Sequence, residues 1–151
     1  MVVCDLDETL IHYNVETDWA STRPGAVEML QFIHKYTSGC VRVDIYTRGG
    51  DDYAAAIATL LEKLVGNGFH FGQVISREML GPKMEKSLAA GGWNGNNVII
   101  LDDTVAMWKP YLSKWGKSSK NKVLVQVEAY EGWNNSVEEF QAIARKFIDL
   151  A

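Results

Sequence analysis

The chain opens with an apolar run, Val2-Val3-Cys4, that ends in two carboxylates two positions apart, Asp5 and Asp7. The run is too short for a helix and too oily for a loop, so it reads as a buried parallel strand. Asp5 and Asp7 then fall at its carboxyl end, where open α/β sheets bind ligands. Side chains alternate along an extended chain, so the two acids can share a face while Leu6 points into the core. Carboxylates that close repel one another unless a cation lies between them, and hard oxygen donors suit Mg²⁺. The stretch therefore reads as a metal site with a carboxylate nucleophile.

Other strand ends offer matching groups. Thr9 follows the first strand and Thr47 the second, Lys83 and Lys86 precede the strongest strand, and Asp102 and Asp103 end it. Singly, each has a plain explanation as a helix cap, a surface charge or a turn residue. Together they supply a nucleophile, a metal site, a hydroxyl donor and a cation to neutralise phosphoryl oxygens, which are the parts that phosphoryl transfer needs.

The elements that must position these groups alternate in type. Arg23-Pro24-Gly25 opens a helix over 26–36 with Val27, Leu30, Ile33 and His34 on one face. Residues 41–47 form a second strand. Gly49-Gly50-Asp51 supplies a turn and cap for a helix over 52–65, where Ala56, Ile57, Leu60, Leu61 and Leu64 recur at helical spacing. A short strand is expected over 71–75, a brief helix over 84–90, a buried strand over 97–103 and another strand over 122–128. Ser136 and Glu139 have the spacing of a capping box that starts a closing helix through about Leu150. Strands alternating with helices imply an α/β fold whose mainly parallel sheet is covered on both faces, a three-layer Rossmann-type arrangement.

At 151 residues the chain fits a single domain spanning 1–151. Met1 leads directly into the first strand, which suggests a domain trimmed from a longer protein. No stretch is long and apolar enough to span a bilayer, so no membrane partner is expected. The net charge of −4 argues against nucleic-acid binding. Lys109, Lys114, Lys117, Lys120 and Lys122, interleaved with Trp108, Tyr111 and Trp115, form a basic stretch that reads as a solvated loop. Cys4 and Cys40 border apolar runs and suit buried, reduced thiols of an intracellular protein.

Asp5-Leu6-Asp7-Glu8-Thr9 resembles motif I of the haloacid dehalogenase (HAD) superfamily, whose members transfer phosphoryl groups through an aspartyl phosphate. Further matches resemble the branch that dephosphorylates the C-terminal domain (CTD) of RNA polymerase II. They are Asp5 through His12, Arg23-Pro24-Gly25, Tyr46-Thr47-Arg48-Gly49 with Tyr53-Ala54 downstream, Ile75-Ser76-Arg77-Glu78, and Asp102-Asp103 with Trp108 behind. Asp102-Asp103 with Trp108 is similar to the larger TFIIF-associated CTD phosphatases. The segment from Thr9 to Arg23 is short for those larger relatives, and Glu62 stands where an Asp is expected.

The resemblance assigns roles. Asp5 is the nucleophile and Asp7 the acid and base. Thr47 and Lys86 grip the phosphoryl oxygens, with Lys83 as the alternative lysine. Thr9 steadies the motif I loop, and with Arg23 and Arg77 it makes up the substrate- and phosphate-binding set. Mg²⁺ falls to Asp5, Asp7 through its backbone carbonyl, Asp103, and Asp102 acting through water or by orienting Lys86. The intervals between motifs leave no room for a cap domain, so a capless, open site facing a phosphorylated protein segment is expected. His12, Tyr13 and Trp19, in the loop after motif I, could line a groove for it. The implied protein is a monomeric nuclear serine/threonine phosphatase acting on the polymerase tail or a similar phosphopeptide. A capless phosphatase of small phosphomonoesters and a non-catalytic binding module are the other readings.

Overall fold

Val2, Val3 and Cys4 are apolar on both faces of the extended chain, so they need cover above and below, and all three are wholly buried. The structure is a computed structural model describing residues 1–80, 85–93, 97–108, 122–133 and 140. Its elements run β1 (Val2–Cys4), β2 (Ile11–Asn14), β3 (Trp19–Thr22), α1 (Ala26–Tyr36), β4 (Val43–Tyr46), α2 (Asp51–Val65), β5 (Val74–Ile75), β6 (Val98–Asp102) and β7 (Lys122–Gln126). Five strands form one sheet in the order β5-β4-β1-β6-β7, every pairing parallel.

Parallel register does the positioning. Cys4 lies opposite Ile45 on β4 and Leu101 on β6, so the chain leaves all three strands at the same edge. The Asp5 N–H still reaches the Leu101 carbonyl at 2.9 Å, which extends the pairing into motif I. Asp5, Thr47 and Asp102 therefore end neighbouring strands side by side.

Alternation along β1 divides the core. Val2 and Cys4 pack with Leu30 and Ile33 of α1 and with Ile57 and Leu61 of α2. Val3 faces the other layer, where Tyr46, Leu88, Trp93, Ile100 and Trp108 close the sheet. On this second face the described cover is turns carrying Trp93 and Trp108. The brief helix expected over 84–90 is not formed by the described residues from 85 onward. Residues 88–92 turn through bonds such as Ala90 N–H to Ser87 O and Gly92 N–H to Ala89 O. Gly92 takes φ 69°, and a Cβ on Gly91 would come within 2.0 Å of the Trp93 ring, so the glycines fold this segment around the indole.

Other expectations shift in detail. The loop after motif I is an antiparallel hairpin of β2 and β3, paired from Ile11–Thr22 to Asn14–Trp19. Its turn is organised by the Asn14 side-chain carbonyl, which accepts the N–H groups of Glu16 and Thr17. Helix α2 buries Ala54, Ile57, Ala58, Leu61 and Val65, while Ala56, Leu60 and Leu64 face outward. The two buried alanines let the helix lie close to the sheet, which rotates its inner face away from the one its leucines suggest. Cys4 is buried but Cys40 is exposed, and both thiols are free. Glu62 uses its length to accept the Phe71 N–H at 2.8 Å and to meet His70 at 3.2 Å, pinning the loop after α2. Lys83, Lys109, Lys114, Lys117, Lys120, Tyr111 and Trp115 lie outside the described residues, as does the closing helix apart from Phe140. Among the described residues, neither interval between motifs holds a cap domain, and no helix is long and apolar enough to cross a membrane.

Candidate active site

The carboxyl edge of the sheet gathers acidic groups around one buried ammonium. Lys86 Nζ lies 2.9 Å from Asp5 Oδ1 and 2.6 Å from Asp102 Oδ2. Lys86 and Asp102 side chains are each 1% exposed and that of Asp5 13%, so these are ion pairs in a nearly closed space. Such a pair persists only when its remaining hydrogen-bonding capacity is filled. Asp102 meets that condition: Trp108 Nε1 donates to Oδ2 at 2.9 Å and the Thr104 N–H to Oδ1 at 2.8 Å. Lys86 arrives on an extended segment whose N–H binds the Met107 carbonyl, and its ammonium sits 5.6 Å above the Tyr46 ring. The Tyr46 hydroxyl accepts the neighbouring Ser87 N–H.

Charges in this space control one another. Burial alone would lower the Lys86 pKa, but the Asp5 and Asp102 carboxylates outweigh it and hold the lysine above its ordinary value. Asp5 is pushed up from 3.8 to about 7, first by burial and then by Asp102 and Asp103, against the pull of Lys86. The adjacent Cys4 thiol is raised well out of the reactive range, chiefly by burial. It is a core residue.

Asp103 joins from the turn after β6. One oxygen each from Asp5, Asp102 and Asp103 lie within 4.8 Å of one another. Three carboxylates against one ammonium leave an excess of negative charge, and all-oxygen donors of this kind fit a divalent hard cation such as Mg²⁺. The Asp7 carboxylate is not part of this cluster. Its Oδ1 accepts the Tyr53 hydroxyl at 2.5 Å.

The loop that carries Asp7 is tightly wound. The Leu6 carbonyl accepts the N–H groups of Thr9, Leu10 and Ile11, and Glu8 takes φ 60° to complete the turn. Thr9, wholly buried, donates to Asp103 Oδ1 and accepts the Asp103 N–H, both at 3.1 Å, and so ties this loop to β6. Arg23 is also buried. Its guanidinium donates to the carbonyls of Glu8, Thr9 and Glu128 at 3.4, 3.3 and 2.7 Å and lies 4.8 Å from the Phe140 ring centroid. These contacts put both residues behind the loop, supporting its backbone. For Thr9 this is the loop-steadying place expected of it.

Thr47 is buried at the end of β4, its hydroxyl accepting the Gly49 N–H at 3.0 Å. Arg77 lies on a 3₁₀ turn after β5, side chain 57% exposed, with its N–H on the Gly49 carbonyl and its guanidinium over Gly50. His12 contacts Glu8 at 2.9 Å and meets Tyr130 edge-on, and Trp19 is 70% exposed on β3.

One buried group escaped the sequence reading. Asp44, within β4, accepts from Trp93 Nε1 at 2.7 Å and from Arg42 at 2.8 Å, and nothing in its local sequence marks it as buried. Tyr53, half-buried, belongs to the Tyr53-Ala54 pair that the family resemblance singles out, but its contact with Asp7 was not expected from the sequence.

Comparison with known proteins agrees with the fold. The pattern of the NLI interacting factor-like phosphatases matches residues 1–148. No curated protein sequence matches the chain. The solved structure of Fcp1, an essential RNA polymerase II CTD phosphatase, superposes with a TM-score of 0.57 at 21% identity, over 99% of this chain and 48% of that one. A beryllium fluoride complex of a variant of the fission yeast CTD phosphatase Fcp1 gives 0.58 at 19% identity, over 99% and 50%. The chain thus spans about half the length of these structures.

Proposed function

Since the chain belongs to the NLI interacting factor-like phosphatase family, with its HAD-like fold, we propose that it is a Mg²⁺-dependent protein serine/threonine phosphatase working through an aspartyl phosphate. The observation that carries this reading is the convergence of Asp5, Asp102 and Asp103 on one spot beside the buried Lys86 ammonium.

Asp5, Asp103 and Asp102, with the Asp7 carbonyl, would hold the Mg²⁺. When bound, the ion would supply positive charge against the phosphoryl oxygens and relieve the repulsion among the carboxylates. Asp5 attacks phosphorus in line, and the bond from phosphorus to the seryl or threonyl oxygen breaks. Asp7 gives its proton to that leaving oxygen, then takes one from the water that attacks phosphorus of the Asp5 acyl phosphate, breaking its bond to the Asp5 oxygen and releasing inorganic phosphate. Lys86 and Thr47 bind the phosphoryl oxygens, and Arg77 reaches the substrate from the rim. Thr9 and Arg23 serve by fixing the loop that carries Asp7.

The absence of a cap among the described residues favours a phosphorylated protein segment laid across an open edge. The relatives named above act on the RNA polymerase II CTD, and such a tail is the substrate proposed here, in the nucleus and with the phosphatase as a monomer. A phosphopeptide array tests this. Phosphoserine and phosphothreonine peptides are hydrolysed much faster than small phosphomonoesters, and chelation stops the reaction. Activity that survives chelation would remove the metal assignment, and equal rates on small esters would remove the protein substrate.

A further inference from the structure

Asp7 stands apart from the cluster of Asp5, Asp102 and Asp103, and an aromatic side chain holds it. Tyr53, in the first turn of α2, donates its hydroxyl to Asp7 Oδ1 at 2.5 Å. The ring that carries this hydroxyl is seated from two sides. A Cβ on Gly49 would come within 2.6 Å of the Tyr53 ring, so a glycine there opens the seat. From the opposite element, Tyr13 of β2 meets the ring edge-on, with centroids 5.4 Å apart and planes at 70°. The Tyr13 hydroxyl is in turn bound by Asp18 at the hairpin turn. Burial, and next the Asp7 carboxylate, hold the Tyr53 hydroxyl above its ordinary pKa, so it remains a donor.

Resting on the reading of Asp7 as the acid and base, we propose that Tyr53 is a positioning residue that aims the Asp7 carboxylate at the leaving-group oxygen. Asp7 sits in a loop and is only half-buried, so its carboxyl group needs an external constraint to hold one rotamer. With Oδ1 taken by Tyr53, proton transfer falls to Oδ2. As the phosphorus–oxygen bond breaks, its electron pair stays on the seryl oxygen and the Oδ2 proton joins it. Because Tyr13 braces Tyr53, the β2–β3 hairpin is mechanically connected to this step.

Leaving-group dependence tests the proposal, since an acid matters for an alkoxide and little for a leaving group that departs unaided. Tyr53→Phe keeps the ring, with its Gly49 and Tyr13 contacts, and removes only the hydroxyl. Its kcat/KM, which reports the step that expels the leaving group, is measured on a phosphoserine peptide and on an aryl phosphate with an acidic phenol, with Mg²⁺ present. General acids contribute about 10²–10⁴-fold, so the peptide value falls at least about tenfold while the aryl value changes less than about threefold. Equal losses on both substrates, or no loss on either, overturn the positioning role. A wild-type protein inert towards both would remove the phosphatase reading itself, and this proposal with it, a failure visible before any variant is made.

Discussion

The buried half of the site and its rim are held in different ways. Around Lys86, Asp5 and Asp102 the side chains are almost enclosed, and each ion has an opposite charge or a buried donor against it. Around Asp7, Tyr53 and Tyr13 the groups are half-buried, joined by single hydrogen bonds and ring edges, and Trp19 on β3 is exposed. The contrast suggests a division of labour. The enclosed half fixes which chemistry is possible, and the rim governs how a substrate meets it.

The strongest way to break the comparison is Lys86→Met, which leaves Asp5 and Asp102 facing each other in a closed space. Removing one partner of a buried pair costs about 3–5 kcal/mol, so denaturant unfolding should show a loss of that size along with loss of turnover. Trp108→Phe is milder. It removes one donor from Asp102 and keeps most of the ring, for an expected cost of about 1–3 kcal/mol. A Trp108 variant as stable as the wild type would mean that the indole contributes packing alone.

The next prediction concerns pH. Burial, with Asp102 and Asp103 beside it and against the pull of Lys86, pushes the folded Asp5 pKa up to about 7 from the ordinary 3.8. The folded state therefore binds more protons across this window, and Asp5 makes stability in chelator fall as pH rises through it. Melting curves of wild type against Asp5→Asn isolate the effect. Mg²⁺, which binds the ionised carboxylates, raises the wild-type midpoint more above about 7 than near 3.8. A Mg²⁺ shift independent of pH would contradict the account. The smallest stability change belongs to the rim. Trp19→Ala, at a side chain 70% exposed, leaves unfolding within about 0.5 kcal/mol and raises KM for phosphopeptides without touching small esters.

The same division separates what the sequence revealed from what it hid. Val2-Val3-Cys4 and the run from Val98 to Leu101 are continuous apolar stretches, so strands β1 and β6, and the acids that end them, could be read directly. Lys86 could be read from its place before β6, although the helix expected around it gives way to turns shaped by Gly91 and Gly92. The rim was harder. Residues 11–22 mix polar and aromatic side chains without clear alternation, and their pairing depends on a turn that Asn14 organises through hydrogen bonds to the backbone. Tyr53 was visible as part of the Tyr53-Ala54 match, but its bond to Asp7 was not, because the two lie 46 positions apart. The burial of Asp44 was not legible, because Trp93, which satisfies it, comes 49 positions later. The face of α2 was misjudged because Leu60 and Leu64 carry more apolar surface than Ala54 and Ala58, and close packing prefers the small residues.

The claim beneath all of this is that Asp5 becomes covalently phosphorylated. Borohydride reduction during turnover of a phosphoserine peptide, followed by peptide mass spectrometry, reads it directly. The account predicts homoserine at position 5, dependent on both Mg²⁺ and phosphopeptide and absent when the metal is chelated. Steady turnover with Asp5 unmodified, or label appearing on another residue, would contradict it.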